Sequence, residues 1–169
     1  MTETIATPVF FDLADEDATK ALAARLAGIA RPGDVLALSG DLGSGKTVFA
    51  RGFINARAEE PEDVPSPTFT LVQAYEFPAP GSAIPVFHFD LYRIGDASET
   101  RELGMDEAFA TGISLIEWPE RVNGHLPADR LVVTLEQGPT PDSRKATLLG
   151  LGSWGPRLEE ITGGGTGHD

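Results

Sequence analysis

No cysteine occurs in the 169 residues. Disulfides and thiolate metal sites are thereby excluded, and a reducing compartment fits. Lysine is almost as scarce, with only Lys20, Lys46 and Lys145, and the formal net charge is -13. Such a surface repels a phosphate backbone, so autonomous nucleic-acid binding is disfavoured and a partner would have to supply any affinity for RNA. The histidines, His88, His125 and His168, make no metal-ligand spacing. Nowhere do about 18 apolar residues follow one another, and Met1 to Phe11 lacks a basic segment leading into an apolar run. A soluble, unexported, cytoplasmic protein without membrane association is expected.

What is present suits one globular domain, residues 1–162, with 41% hydrophobic residues to build a core. The glycine-rich stretch 163–169 reads as a disordered tail. Pro8 to Leu13 reads as a strand, and Asp15 caps a helix from Glu16 to about Ala30 with Leu22, Leu26 and Ile29 on one face. Val35 to Leu38 is a continuous apolar run, the signature of a strand buried on both faces of a parallel sheet. A helix follows from Lys46 to about Ala58. Thr68 to Phe77 and Pro85 to Leu91 form two strands of a long-looped hairpin, and short helices are expected at Ala97–Leu103 and Asp106–Ala110. Ile113 to Glu117 is another buried strand, and Arg130–Glu136 pairs with Lys145–Gly150. The expected fold is a three-layer α/β sandwich of the P-loop NTPase kind, its central sheet mainly parallel with antiparallel edge strands.

The most informative octet is Gly40-Asp41-Leu42-Gly43-Ser44-Gly45-Lys46-Thr47, a G-x-x-x-x-G-K-[ST] loop between the strand and the helix that its chemistry requires. Glycines leave room for backbone N–H groups to face phosphate oxygens, and the helix start adds the positive end of its dipole. Asp41, Leu42, Gly43, Ser44, Gly45, Lys46, Thr47 and Val48 are the candidate nucleotide-binding positions. Lys46 reaches the β- and γ-phosphates, and the Thr47 hydroxyl takes a place on magnesium.

Two apolar strands end in acids, at Asp90 and at Glu117, which carries each carboxylate to the sheet edge where a metal would lie. Asp90 is assigned to magnesium through water and Glu117 to the attacking water, both near the metal with Thr47. Ser66-Pro67-Thr68 reads either as a turn leading into a strand or as the site of a nucleotide-sensing hydroxyl on Thr68. Trp118 either packs in the core or covers the site. His88, facing away from Phe87 and Phe89, reads as a core or surface residue rather than a ligand.

Three rival functions share the loop. A small-molecule kinase needs an acceptor pocket and an arginine-rich lid, whereas Arg93, Arg101 and Arg121 are scattered. A GTP switch needs N-K-x-D and D-x-x-G segments, which are missing. A non-catalytic module would use ATP only to shape an interface.

The ordered blocks GDLGSGKT, SPTFTLV, HFDLYR and EWPER, within Phe10 to Glu136, closely resemble the TsaE family. The resemblance implies a weak P-loop ATPase, dependent on ATP and Mg2+, that joins TsaB and TsaD in installing threonylcarbamoyl on the adenosine beside the anticodon of tRNA. The tRNA itself would be engaged only through that complex. It also implies that Lys46 and Thr47 are phosphate and magnesium ligands, that Thr68 is switch-like, that Asp90 and Glu117 are the two essential acids, and that Trp118 covers the nucleotide. On this reading ATP and magnesium order the segments around Thr68 and from Asp90 to Met105 into a docking surface, which hydrolysis releases.

Overall fold

The computed structural model describes residues 7–41, 43–58, 71–77, 84–95, 99, 103–122 and 124–162. Thr68, Leu42, most of the expected helix at Ala97–Leu103 and the tail from residue 163 lie outside them. The elements in chain order are β1 (Val9–Leu13), α1 (Glu16–Ala27), β2 (Val35–Ser39), α2 (Lys46–Arg57), β3 (Val72–Phe77), β4 (Ile84–Asp90) and α3 (Met105–Thr111). There follow β5 (Ile113–Glu117), a 3-10 turn (Pro119–Val122), β6 (Arg130–Gln137), β7 (Arg144–Leu151) and α4 (Trp154–Thr162).

All seven strands form one sheet in the order β1-β7-β6-β2-β5-β4-β3. The four central strands, β6, β2, β5 and β4, are mutually parallel, while β1, β7 and β3 pair antiparallel outside them. This matches the expected parallel centre with antiparallel edges. The reason lies in burial: Val35, Leu36, Ala37 and Leu38 of β2 are all covered, so the strand needs helices on both sides.

Each face has its own core. On one face Leu36, Leu38, Leu115, Leu131, Val133 and Leu135 of the sheet meet Leu22 and Leu26 of α1, Phe49 and Phe53 of α2, and Trp154 and Leu158 of α4. On the other, Val35, Phe89 and Ile116 meet Met105 and Ala108 of α3 and Val122 of the 3-10 turn. Helix α1 begins where Asp15 accepts a hydrogen bond from Ala18 N at 2.9 Å, as its sequence predicts, but it ends at Ala27, three residues early, with Gly28 as its cap. Gly52 allows α2 to lie close to α1, because a Cβ there would come within 2.7 Å of Lys20 Cα.

Two departures from the sequence reading concern the ends of elements. Strand β3 begins at Val72, and Leu71 before it turns the chain at φ 68°. Helix α4 has no counterpart in the sequence reading, because Gly155 and Pro156 look like breakers. They fall in its first turn, where proline forfeits no intrahelical bond.

Candidate functional site

Strand β2 is buried on both faces and delivers the chain at the carboxyl end of the parallel strands, where open α/β sheets place their ligands. The turn that follows is built on left-handed backbone: Gly40, Gly43 and Gly45 have φ of 144°, 80° and 107°. Gly45 caps α2 without any side-chain hydrogen bond, and the first turn of α2 carries no acid, whereas that of α1 carries Glu16 and Asp17. The orphan amides of α2 therefore meet no carboxylate from their own first turn, which leaves their positive end available to an anion.

Lys46 is buried at 4% exposure, although among the described residues no carboxylate forms an ion pair with it. Its Nζ donates to the carbonyls of Gly40 at 2.5 Å and Asp41 at 2.9 Å, and it lies 4.2 Å from the centre of the Trp118 ring. Burial pushes its pKa below the ordinary 10.5, a tendency opposed by the nearby charges of Glu117, Glu120, Asp90 and Asp41.

Thr47 points toward the neighbouring strand β5. Its hydroxyl lies 3.0 Å and 3.2 Å from the two Glu117 carboxylate oxygens, and Glu117 is only 3% exposed. The pairing of β2 with β5 makes this possible, since it sets Leu38 opposite Glu117 at the strand ends. Asp90 stands opposite Glu117 on β4, so the two acids share one face of the sheet, and Asp90 Oδ1 accepts from Tyr92 N at 3.1 Å.

His88, two residues before Asp90, projects to that same face and is fully buried, with Nε2 2.7 Å from Glu117 Oε2. Toward an ionised Glu117 the ring must present Nε2–H, because a carboxylate has no proton to donate. The sequence placed this side chain opposite Phe87 and Phe89, as found, but read it as a core or surface histidine. It is in the core and also holds a site acid. The apolar-polar alternation HFD carried that signal, yet only the parallel pairing of β4 with β5 names its partner.

Trp118 adopts φ 61°, uncommon for a bulky residue, and this turns the chain so that its ring lies over Lys46 and beside Tyr92, with centroids 4.9 Å apart. The resulting cleft of about 440 Å³ is lined by Gly45, Lys46, Thr47, Val48, Asp90 and Glu117 among others, within the size range of small-ligand sites. Ser44 is buried behind the loop and Asp41 is exposed at its rim. The cleft thus brings together Gly43, Gly45, Lys46, Thr47, Val48, Asp90, Glu117 and Trp118, whereas Asp41 and Ser44 line a separate cavity beside β6. Among the described residues no group of three His, Asp or Glu side chains is arranged to hold a metal by itself. The Thr47 hydroxyl and the Glu117 and Asp90 carboxylates are hard oxygen donors, the kind of which magnesium takes one or two beside phosphates and water.

A family model described as threonylcarbamoyl adenosine biosynthesis protein TsaE matches residues 13–146. The chain belongs to the TsaE family. Among curated relatives, this TsaE-family chain is 40% identical over 136 residues to the tRNA threonylcarbamoyladenosine biosynthesis protein TsaE of Bacillus subtilis, covering 80% of this chain and 81% of that one. It is 36% identical over 138 residues to the Streptomyces coelicolor protein of the same name, covering 78% and 89%. The crystal structure of Bacillus subtilis YdiB superposes with a TM-score of 0.75 at 31% identity, over 94% of this chain and 96% of that chain. The family model spans every element from α1 to β6, and with them the glycine loop and both strand-end acids.

Proposed function

We propose that this TsaE-family chain is a magnesium-dependent ATPase that supports tRNA threonylcarbamoyladenosine formation in the cytoplasm by acting on a TsaB–TsaD complex, reaching tRNA only through that complex. The observation that carries the reading is the contact between the Thr47 hydroxyl and both Glu117 oxygens, directly after a glycine loop whose helix start bears no acid. A loop that bound no nucleotide would have no use for a buried carboxylate held there.

Lys46 already has two carbonyl partners, so on binding it exchanges them for phosphate oxygens rather than acquiring its first ones. Thr47 donates its proton to Glu117, which would leave its oxygen lone pairs free to hold magnesium. Glu117, which shares the Thr47 hydroxyl, would position the attacking water, and Asp90, opposite it on β4, would hold magnesium through water. Magnesium held there would supply neutralisation of the charge that develops on the phosphates. Trp118 shields Lys46 from solvent, which strengthens its interaction with an anion. Thr68 remains assigned as the nucleotide-sensing hydroxyl through the resemblance of the SPT block to the TsaE family.

Calorimetric titration with MgATP, and hydrolysis assays with and without purified TsaB and TsaD, test the proposal. Lys46→Ala is expected to weaken binding roughly tenfold or more, the worth of one lost charged hydrogen bond. Glu117→Gln should bind but not turn over. Wild-type binding with no hydrolysis in either state would replace the ATPase with a non-catalytic module, and a phosphorylated metabolite would replace it with a kinase.

A further inference from the structure

The C-terminal half of the sheet reaches the glycine loop through one side chain. Arg144 opens β7, where it is paired with Leu13 of β1 and Gln137 of β6, and lies a hundred residues from the loop it touches. Its Nε donates to Ser44 O at 3.0 Å and its Nη2 to Gly43 O at 3.0 Å, while Nη1 donates to Pro141 O and Ser143 O, each at 2.7 Å. The guanidinium thus ties two carbonyls of the loop to two of its own hairpin. Its stem packs on the same loop: a Cβ placed on Gly45 would meet Arg144 Nε at 3.8 Å and Cγ at 3.9 Å.

Peptide geometry gives this clamp a consequence. In a trans peptide the C=O and the following N–H point in opposite directions. With Ser44 O held on Arg144, the Gly45 N–H must face away from the arginine. The Gly43–Ser44 peptide is held in the same way, and in this conformation Ser44 N donates to Asp41 O at 3.0 Å, which closes the loop's own turn. A glycine-rich loop loses much conformational entropy on ordering, so a rigid fork that fixes two successive peptides removes part of that cost before any ligand arrives. Arginine suits the task because its planar guanidinium places donors on three nitrogens in a fixed fork and holds four carbonyls at once, whereas a lysine offers a single freely rotating ammonium on a flexible stem.

We propose that Arg144 is a positioning residue of the phosphate loop, which pre-orients the Gly45 amide for phosphate by holding the carbonyls of Gly43 and Ser44. This rests on the nucleotide-binding reading above. Three variants separate bridging from charge: Arg144→Ala, Arg144→Gln and Arg144→Lys, each titrated with MgATP and MgADP and monitored by the amide NMR signal of Gly45 in nucleotide-free protein. The expected result is that all three, Arg144→Lys included, weaken both nucleotides roughly tenfold and broaden or shift the Gly45 signal. Their unfolding midpoints should stay within a few degrees of wild type, and methylguanidinium should partly restore binding to Arg144→Ala. Wild-type affinity and an unchanged Gly45 signal in Arg144→Lys would overturn the clamp, leaving charge alone. If wild-type protein bound no nucleotide, the ATPase reading would fall, and the Gly45 signal of the variants would still decide the clamp.

Discussion

Replacing Arg157 by methionine should unfasten α4 from the strand that leads to the glycine loop. Arg157 and Asp34 form a two-pronged ion pair, Nη1 to Oδ2 at 2.7 Å and Nη2 to Oδ1 at 2.8 Å, with side-chain exposures of only 4% and 10%. Arg157 also donates to Ile29 O and Ser153 Oγ and lies 3.9 Å from the Trp154 ring centre. Asp34 in turn accepts from Arg31 N at 2.6 Å. Methionine keeps most of the stem's apolar contact but leaves the Asp34 carboxylate without its counter-charge. Removing one member of a buried pair costs about 3–5 kcal/mol, mostly because the remaining charge is stranded. For a chain of this length, that corresponds to a fall in Tm of roughly 6–20 °C.

Urea unfolding followed by circular dichroism measures the loss, and the double variant Asp34→Asn/Arg157→Met should lose less than the two single variants together. Nucleotide affinity should not change, because Asp34 precedes β2 while the loop follows it, roughly 16 Å away along five strand residues. A loss below about 1 kcal/mol, or additivity of the two single variants, would refute the stranded-charge reasoning. A change in MgATP affinity beyond about threefold, well under the 1.4 kcal/mol decade, would refute the separation of bolt from site.

His88→Leu removes the buried donor to Glu117, and magnesium dependence of nucleotide binding should shift to roughly tenfold higher metal concentration, read by titration of metal at fixed ATP; an unchanged midpoint would show that Thr47 orients Glu117 alone. Gly52→Ala should destabilise the fold despite alanine's better helix propensity of about 1 kcal/mol, because overpacking against Lys20 costs about 1–3 kcal/mol; equal stability by chemical unfolding would mean that α1 and α2 part without cost. For Lys46 the folded pKa is below the unfolded 10.5, so the burial penalty on its ammonium is fully present below the folded value and is relieved as pH rises toward 10.5. Nucleotide phosphates favour the protonated form, so MgATP binding should take up protons in that window and weaken as pH rises through it. Calorimetry in buffers of different ionisation enthalpy reads the uptake, and affinity that held constant up to 10.5 would contradict it.

Much of the site was legible because its logic is local. The apolar run Val35 to Leu38, the glycines and Lys46-Thr47 are contiguous, so strand, loop and helix start follow from residue order and from backbone conformations that glycine alone adopts freely. Asp90 and Glu117 were legible as acids at the ends of apolar strands, because alternation and burial mark a strand's limits. What one sequence could not convey is which strand lies beside which. The parallel pairing of β2 with β5 and of β5 with β4 puts Thr47 and His88 on the same carboxylate, although they are 41 residues apart. The pairing of β7 with β1 and β6 likewise carries Arg144 to Gly43 and Ser44. Helix α4 was hidden for a related reason: its glycine and proline argue against a helix in isolation, and its stability comes from burying Trp154 and Leu158 and from an ion pair with a residue far along the chain. Local chemistry thus marked the loop and the candidate acids, whereas the tertiary structure decided which distant side chains hold those groups in place, because contacts between strands depend on sheet order and not on position in the chain.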